Sequence, residues 1–175
     1  MPRKKDDPRS HTNKHEPNTS CLEPDPTFEA KLEVGGLTTG SPRTIVCPMP
    51  IEKINTRNAP QPAGHYSQAT KYNGLVFVAG QLSIDPKTGE QKLGPIEEQT
   101  EQALNNVHAI LRAAGSDWDR VLKMTVYISD INDWEAVNRV YARMLGENRP
   151  ARAVIPTGPL HHGFLIEIDA VAEAE

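Results

Sequence analysis

The chain has 175 residues and a formal charge of −4, room for one domain with an appended tail but without the clustered lysine and arginine that neutralise nucleic-acid phosphates. Its two cysteines, Cys21 and Cys47, both precede Pro48 and lack metal-ligand spacing, and no apolar run reaches the length of a membrane span or a signal-peptide core. Nucleic acid, a bound metal, a disulfide framework and a membrane are therefore not expected, which leaves a cytoplasmic protein that handles small molecules.

Residues 1–50 hold 8 of the 15 prolines and a single aromatic, Phe28, with 7 basic and 7 acidic side chains in no periodic order. This composition predicts a disordered tail, because it offers too little apolar surface to offset the entropy of folding. Its acidic residues argue against a mitochondrial presequence, although a mitochondrial location stays open beside the cytoplasmic one.

An ordered domain is expected over residues 51–175. Ile51 and Ile54 begin it, and Asn58-Ala59-Pro60-Gln61-Pro62-Ala63-Gly64 reads as a loop. Ala69 to Tyr72 and Leu75 to Ala79 flank Asn73-Gly74, the dipeptide that tolerates two positive φ angles and so signals a β-hairpin. Asp85-Pro86-Lys87-Thr88-Gly89 predicts a second turn.

Between Ile96 and Ala114, apolar residues recur at three- and four-residue spacing and stop at Gly115, the pattern of an amphipathic helix. Val121 to Ser129 is rich in branched residues and reads as a strand. A second helix is expected from about Asp133 to Leu145, with Trp134, Val137, Tyr141, Met144 and Leu145 on its apolar side and Gly146 as its stop. Two strands then close the chain, about Ala151 to Ile155 and Phe164 to Ala172. Pro156 and Pro159 cannot donate to a ladder, so the first of these should end early or bulge. The order predicts an α+β layer with two helices on one face of a mixed sheet. The uncovered sheet face needs a partner, which points to a closed homo-oligomer.

The candidate site lies in this last part. Arg152 heads an apolar segment, and its guanidinium offers a permanently charged fork that matches a carboxylate with two parallel hydrogen bonds. In Leu165-Ile166-Glu167-Ile168-Asp169-Ala170-Val171, Glu167 and Asp169 share one strand face and Ile166, Ile168 and Ala170 the other. An acid is thereby expected near the arginine. Taken alone, the same residues also suit a strand-end arginine and a half-solvated sheet face.

Several motifs occur in order: Gly64-His65-Tyr66-Ser67-Gln68-Ala69, Ala79-Gly80-Gln81, Asp85-Pro86-Lys87-Thr88-Gly89-Glu90, Val137-Asn138-Arg139-Val140-Tyr141, Pro150-Ala151-Arg152 and Ile166-Glu167-Ile168-Asp169-Ala170. Together they resemble the Rid family, also called YjgF/L-PSP, across about residues 51–175. The resemblance implies a chorismate-mutase-like fold, with a mixed six-stranded sheet, two helices on one face, and a homotrimer holding three clefts at subunit interfaces. It also implies cofactor-independent hydrolysis of reactive enamines and imines such as 2-aminoacrylate to 2-oxoacids and ammonia. By the same resemblance, Arg152 grips the substrate carboxylate, Glu167 positions the water, Tyr66, Gly80 and Gln81 line the cleft, and Asn138 has a mainly structural part.

Such a site can be sparse. An imine already hydrolyses in water, so orienting it through its carboxylate and holding a water against its carbon is enough. The chain departs from the family pattern at His65, at Ala79 and in Ile155-Pro156-Thr157-Gly158-Pro159-Leu160-His161-His162, which should reshape the cleft wall. His161 and His162 are either solvated loop residues or a source of the general acid for ammonia departure. A non-catalytic trimeric module that binds small carboxylates or regulates another protein is the alternative; it would need Arg152 but not Glu167.

Overall fold

The computed structural model describes residues 50–175. The expected tail over residues 1–50 lies outside them, apart from Pro50. Eight regular elements follow. They are β1 (Glu52–Ile54), β2 (Ala69–Tyr72), β3 (Leu75–Gln81), α1 (Ile96–Ala113), β4 (Val121–Ile128), α2 (Trp134–Leu145), β5 (Ala151–Pro156) and β6 (Ile166–Glu173). The strands form one sheet in the order β1-β2-β3-β6-β4-β5. Every neighbour is antiparallel except β4 and β5, which run parallel across the α2 crossover.

Local chemistry explains the ends of these elements. Asn73 and Gly74 take φ of 50° and 76°, the paired positive angles of the hairpin between β2 and β3. Asp85 caps the second turn by accepting from the Lys87 and Thr88 amides at 2.8 and 3.3 Å. The Lys87 amide bond is the main reason its carboxyl titrates below the usual range. Helix α1 ends as its sequence predicts. Gly115 sits at φ 81°, its N–H donates to Arg112 O, and the Ser116 N–H reaches back to Leu111 O at 2.9 Å.

Both helices cover one sheet face. Val76, Val78, Met124, Val126, Ile128, Ile166, Ile168, Ala170 and Ala172 alternate toward them and meet Leu104, Val107, Ile110, Leu111, Val137, Tyr141 and Leu145 in a single core. Trp134 departs from expectation: it is 40% exposed at the start of α2 while Val137, Tyr141 and Leu145 turn inward.

Strand β5 also departs from expectation. It neither stops early nor bulges; its register on β4 is unbroken to Ile128↔Pro156, and the Thr157 N–H then donates to Ile128 O at 2.8 Å. Because Thr157 bonds inward, the missing donor of Pro156 faces the free edge, where a ladder does not need it.

Buried amides tie the loops to this frame. Gln68 is 1% exposed; its Oε1 accepts the Thr56 N–H at 2.6 Å, and its Nε2 donates to the carbonyls of Thr56, Ala59 and Pro60 at 3.0, 3.1 and 2.8 Å. That one side chain holds the loop leading to Tyr66. Replacing Gln68 by alanine strands these groups, and chemical denaturation should show a loss of about 1–3 kcal/mol. On α1, Asn106 and Gln99 do similar work. Asn106 donates to Leu82 O and Ile84 O, both at 2.9 Å, while Gln99 donates to Gly94 O and accepts the Leu165 N–H.

Candidate active site

The sheet separates the expected site residues into two groups. Arg152 pairs with Met124 in the parallel ladder, so its side chain rises on the helix-covered face at the β5 edge. Glu167 pairs with Tyr127 and lies on the opposite, helix-free face. Strand spacing and rise put their Cα atoms roughly 14 Å apart, with the sheet between the side chains. The expected proximity of acid and arginine therefore does not hold within one chain. Sequence alternation gives the face of each strand separately, but not that Arg152 shares its face with Ile168 and Ala170 rather than with Glu167.

Around Arg152 the helix side is ordered. Its Nη2 donates to Asn138 Oδ1 at 2.9 Å, and its guanidinium carbon lies 4.5 Å from the centre of the Tyr141 ring. The Tyr141 hydroxyl meets Met124 Sδ at 3.2 Å. Burial pushes that hydroxyl's pKa up, partly offset by the Arg152 charge, so it stays neutral under the cation. These contacts fix the plane of the guanidinium. Most of its five donors remain for a ligand. They face an open pocket of ≈ 520 Å³ lined also by Ala142, Asn148 and Pro150. Asn138 thus acts by holding the arginine, and Tyr141, which the sequence reading left as a core residue, stacks beneath it.

On the other face, Tyr66, Ala79, Gly80, Leu82, His161 and Glu167 line a cleft of ≈ 310 Å³. A bulge shapes it. Val78 pairs with Ala170 and Gln81 with Ile168, so β3 carries one residue more than β6 over this stretch. The bulge returns Gln81 to the interior at 5% exposure, where its Nε2 donates to Ala79 O and Gly80 O at 3.0 and 3.1 Å. Gln81, expected as a cleft residue, braces the bulge from behind and lines a smaller adjoining chamber with Tyr66, Gly80 and His161.

Gly80 is required by its neighbour. A Cβ there would fall inside van der Waals contact of Glu167 Oε1 and 2.8 Å from Cδ, because the carboxylate lies directly over the glycine. Gly80→Ala should therefore fold with a melting temperature close to the parent's, since a flexible side-chain end can yield. The same shift turns Glu167 out of the cleft and should cost activity as Glu167→Gln does. A fully active alanine variant would remove the carboxylate from the account.

Two acids share this face, and their partners distinguish them. The Tyr127 hydroxyl donates to Asp169 Oδ2 at 3.1 Å, and the Asp169 carboxylate, with burial, raises the tyrosine's pKa. Asp169 is thus engaged along the sheet, and Glu167 is the acid presented to the cleft. His161 lines that cleft, whereas His162 lines only an adjoining chamber of ≈ 130 Å³ together with Pro60, Gln61 and Ala63. No cluster of three metal-ligating side chains occurs among the described residues.

The family model described as Endoribonuclease L-PSP matches residues 56–174. A RutC family protein of Pyrococcus horikoshii is 50% identical over 124 residues, covering 71% of this chain and 98% of that protein. The human 2-iminobutanoate/2-iminopropanoate deaminase is 42% identical over 119 residues, 68% of this chain and 87% of the relative. Among solved structures, a Thermotoga maritima protein described as a putative endoribonuclease superposes with a TM-score of 0.68 at 42% identity, covering 71% of this chain and 98% of its own. Escherichia coli TdcF with bound serine gives 0.68 at 34% identity, covering 71% and 99%. The fold is the mixed six-stranded sheet with two helices found in these neighbours. The chain belongs to the Rid (YjgF/L-PSP) family.

Proposed function

We propose that the protein is an imine and enamine deaminase, hydrolysing reactive 2-aminoacrylate-type intermediates to 2-oxoacids and ammonia, and that it works as a homotrimer whose clefts combine the two groups of residues. The observation that carries this reading is the separation itself. A fixed, donor-rich guanidinium opens from one sheet face and a carboxylate laid over Gly80 opens from the other, which supports a cleft completed by a second copy. The deaminases among the relatives support the reaction class. The bound serine in TdcF supports a ligand carrying a carboxylate.

The helix-free sheet face supports assembly. It exposes Phe77 at 46%, Tyr72 at 44% and Ile155 at 39%, apolar area that a second copy would bury. In the assembled cleft, Arg152 holds the substrate carboxylate by two parallel N–H···O bonds, while the neighbouring protomer contributes Glu167, Tyr66 and the Gly80 backbone. Glu167 takes a proton from water as the oxygen attacks the imine carbon, and the product nitrogen leaves as ammonia. The chemistry needs no cofactor.

The test generates imines of several amino acids enzymatically and follows ammonia release with and without the protein, beside light scattering of the same sample. Accelerated release from a trimer is the expected result. Tight binding of 2-oxoacids with no acceleration would favour the non-catalytic binding module.

A further inference from the structure

The deaminase reading leaves one chemical demand open. Water gives its proton to Glu167 on attack, but the nitrogen then departs as an amine and must receive a proton. Glu167 holds the proton taken from water, and a second acid on the same cleft would protonate the amine without drawing on it; an imidazole is the side chain that exchanges a proton near neutrality.

The turn from His161 to Gly163 places such a group. It is anchored behind by Phe164, 1% exposed, and by the Leu165 N–H bonded to Gln99 Oε1 at 2.9 Å. Within the turn, His162 and Gly163 both take positive φ, 59° and 80°. That conformation is costly for a histidine. It sends the two rings to different places: the His161 ring stands edge-on to Phe164 at 6.4 Å and to His162 at 5.0 Å, and it reaches the cleft of Tyr66, Gly80 and Glu167. His162 does not line that cleft.

We propose that His161 is the general acid of the reaction, an inference that rests on the deaminase reading. Water adds to the iminium carbon and its proton passes to Glu167, leaving a carbinolamine. The His161 imidazolium then protonates the amine nitrogen; the C–N bond breaks with its electron pair on nitrogen, and ammonia leaves. The hydroxyl proton returns to the imidazole as the carbonyl forms, and ammonia takes the proton held by Glu167, so both groups are restored. Glu167 must start deprotonated and His161 protonated, which predicts a bell-shaped pH profile. The titratable groups facing His161 are Glu167 from β6, Tyr66 from the loop before β2 and His162 from its own turn.

The experiment compares the full chain with His161→Asn and His161→Ala on one carboxylated imine across pH. Both variants should lose about ten- to a hundredfold in kcat with KM little changed. Both should lose the alkaline fall in kcat, and added imidazole should restore part of the rate to His161→Ala. If both variants keep the parental kcat and both limbs of the profile, His161 is not the acid, while the deaminase reading stands. If the parent itself accelerates no imine hydrolysis, the reading falls and this role with it.

Discussion

Arg152→Lys should hydrolyse carboxylated imines about ten- to a hundredfold less efficiently in kcat/KM than the parent, equivalent to roughly 1.5–3 kcal/mol for one lost charge-assisted hydrogen bond. Lysine keeps the charge, so a purely electrostatic role would leave activity near the parental level. What lysine lacks is the planar fork, and the structure shows how much is invested in that plane. Asn138 Oδ1 fixes one edge and the Tyr141 ring lies 4.5 Å beneath. An ammonium cannot offer two parallel donors from that position. Arg152→Ala should be worse still, and both variants should keep the parental assembly and melting temperature, because the side chain is only half-buried at a sheet edge. Steady-state kinetics beside light scattering checks both halves of the statement. Parental rates in Arg152→Ala would remove the carboxylate grip from the mechanism.

Glu167→Gln should separate chemistry from binding. The amide is nearly the same shape and can lie over Gly80 as the carboxylate does, but it cannot accept a proton from water. Turnover should fall by about 10²- to 10⁴-fold, the range for a lost general base. The affinity for a stable 2-oxoacid should change little, since Arg152 remains. Calorimetric titration with the oxoacid and single-turnover ammonia release distinguish the two effects. Equal losses in both would make Glu167 a binding residue instead.

Much of this architecture was legible in residue order. The Asn73-Gly74 hairpin, the Gly115 stop of α1 and the alternation of β6 each rest on one local rule, and each stands where that rule puts it. The errors have local causes too. Trp134 looked buried because its spacing matches Val137 and Tyr141, but it is the first residue of α2 and stays 40% exposed at the helix end. Pro156 looked like a strand terminator because proline lacks a donor, yet on an edge strand that donor would have faced outward.

The site was harder to read than the fold. Gln81 was expected in the cleft by resemblance, and only the bulge between Val78 and Gln81 shows that its side chain turns inward and lines the adjoining chamber. Gln68, Gln99 and Asn106 look like surface amides by composition; their bonds to loop backbone groups depend on how those loops fold back, and for Gln99 and Asn106 they reach residues far along the chain. Above all, the faces of β5 and β6 are related only through β4. Motif spacing therefore placed Arg152 and Glu167 in one site without indicating that one chain cannot bring them together.

That separation gives the most direct test. Arg152→Ala and Glu167→Gln subunits are co-expressed with different affinity tags, and assemblies carrying both tags are isolated and assayed. In a closed ring of three, each cleft takes its arginine from one protomer and its glutamate from the next. Every mixed ring then holds one intact cleft, so mixed assemblies should recover about a third of the parental activity although each parent variant alone is nearly inactive. Mixed trimers no more active than the two variants would contradict a cleft shared between subunits.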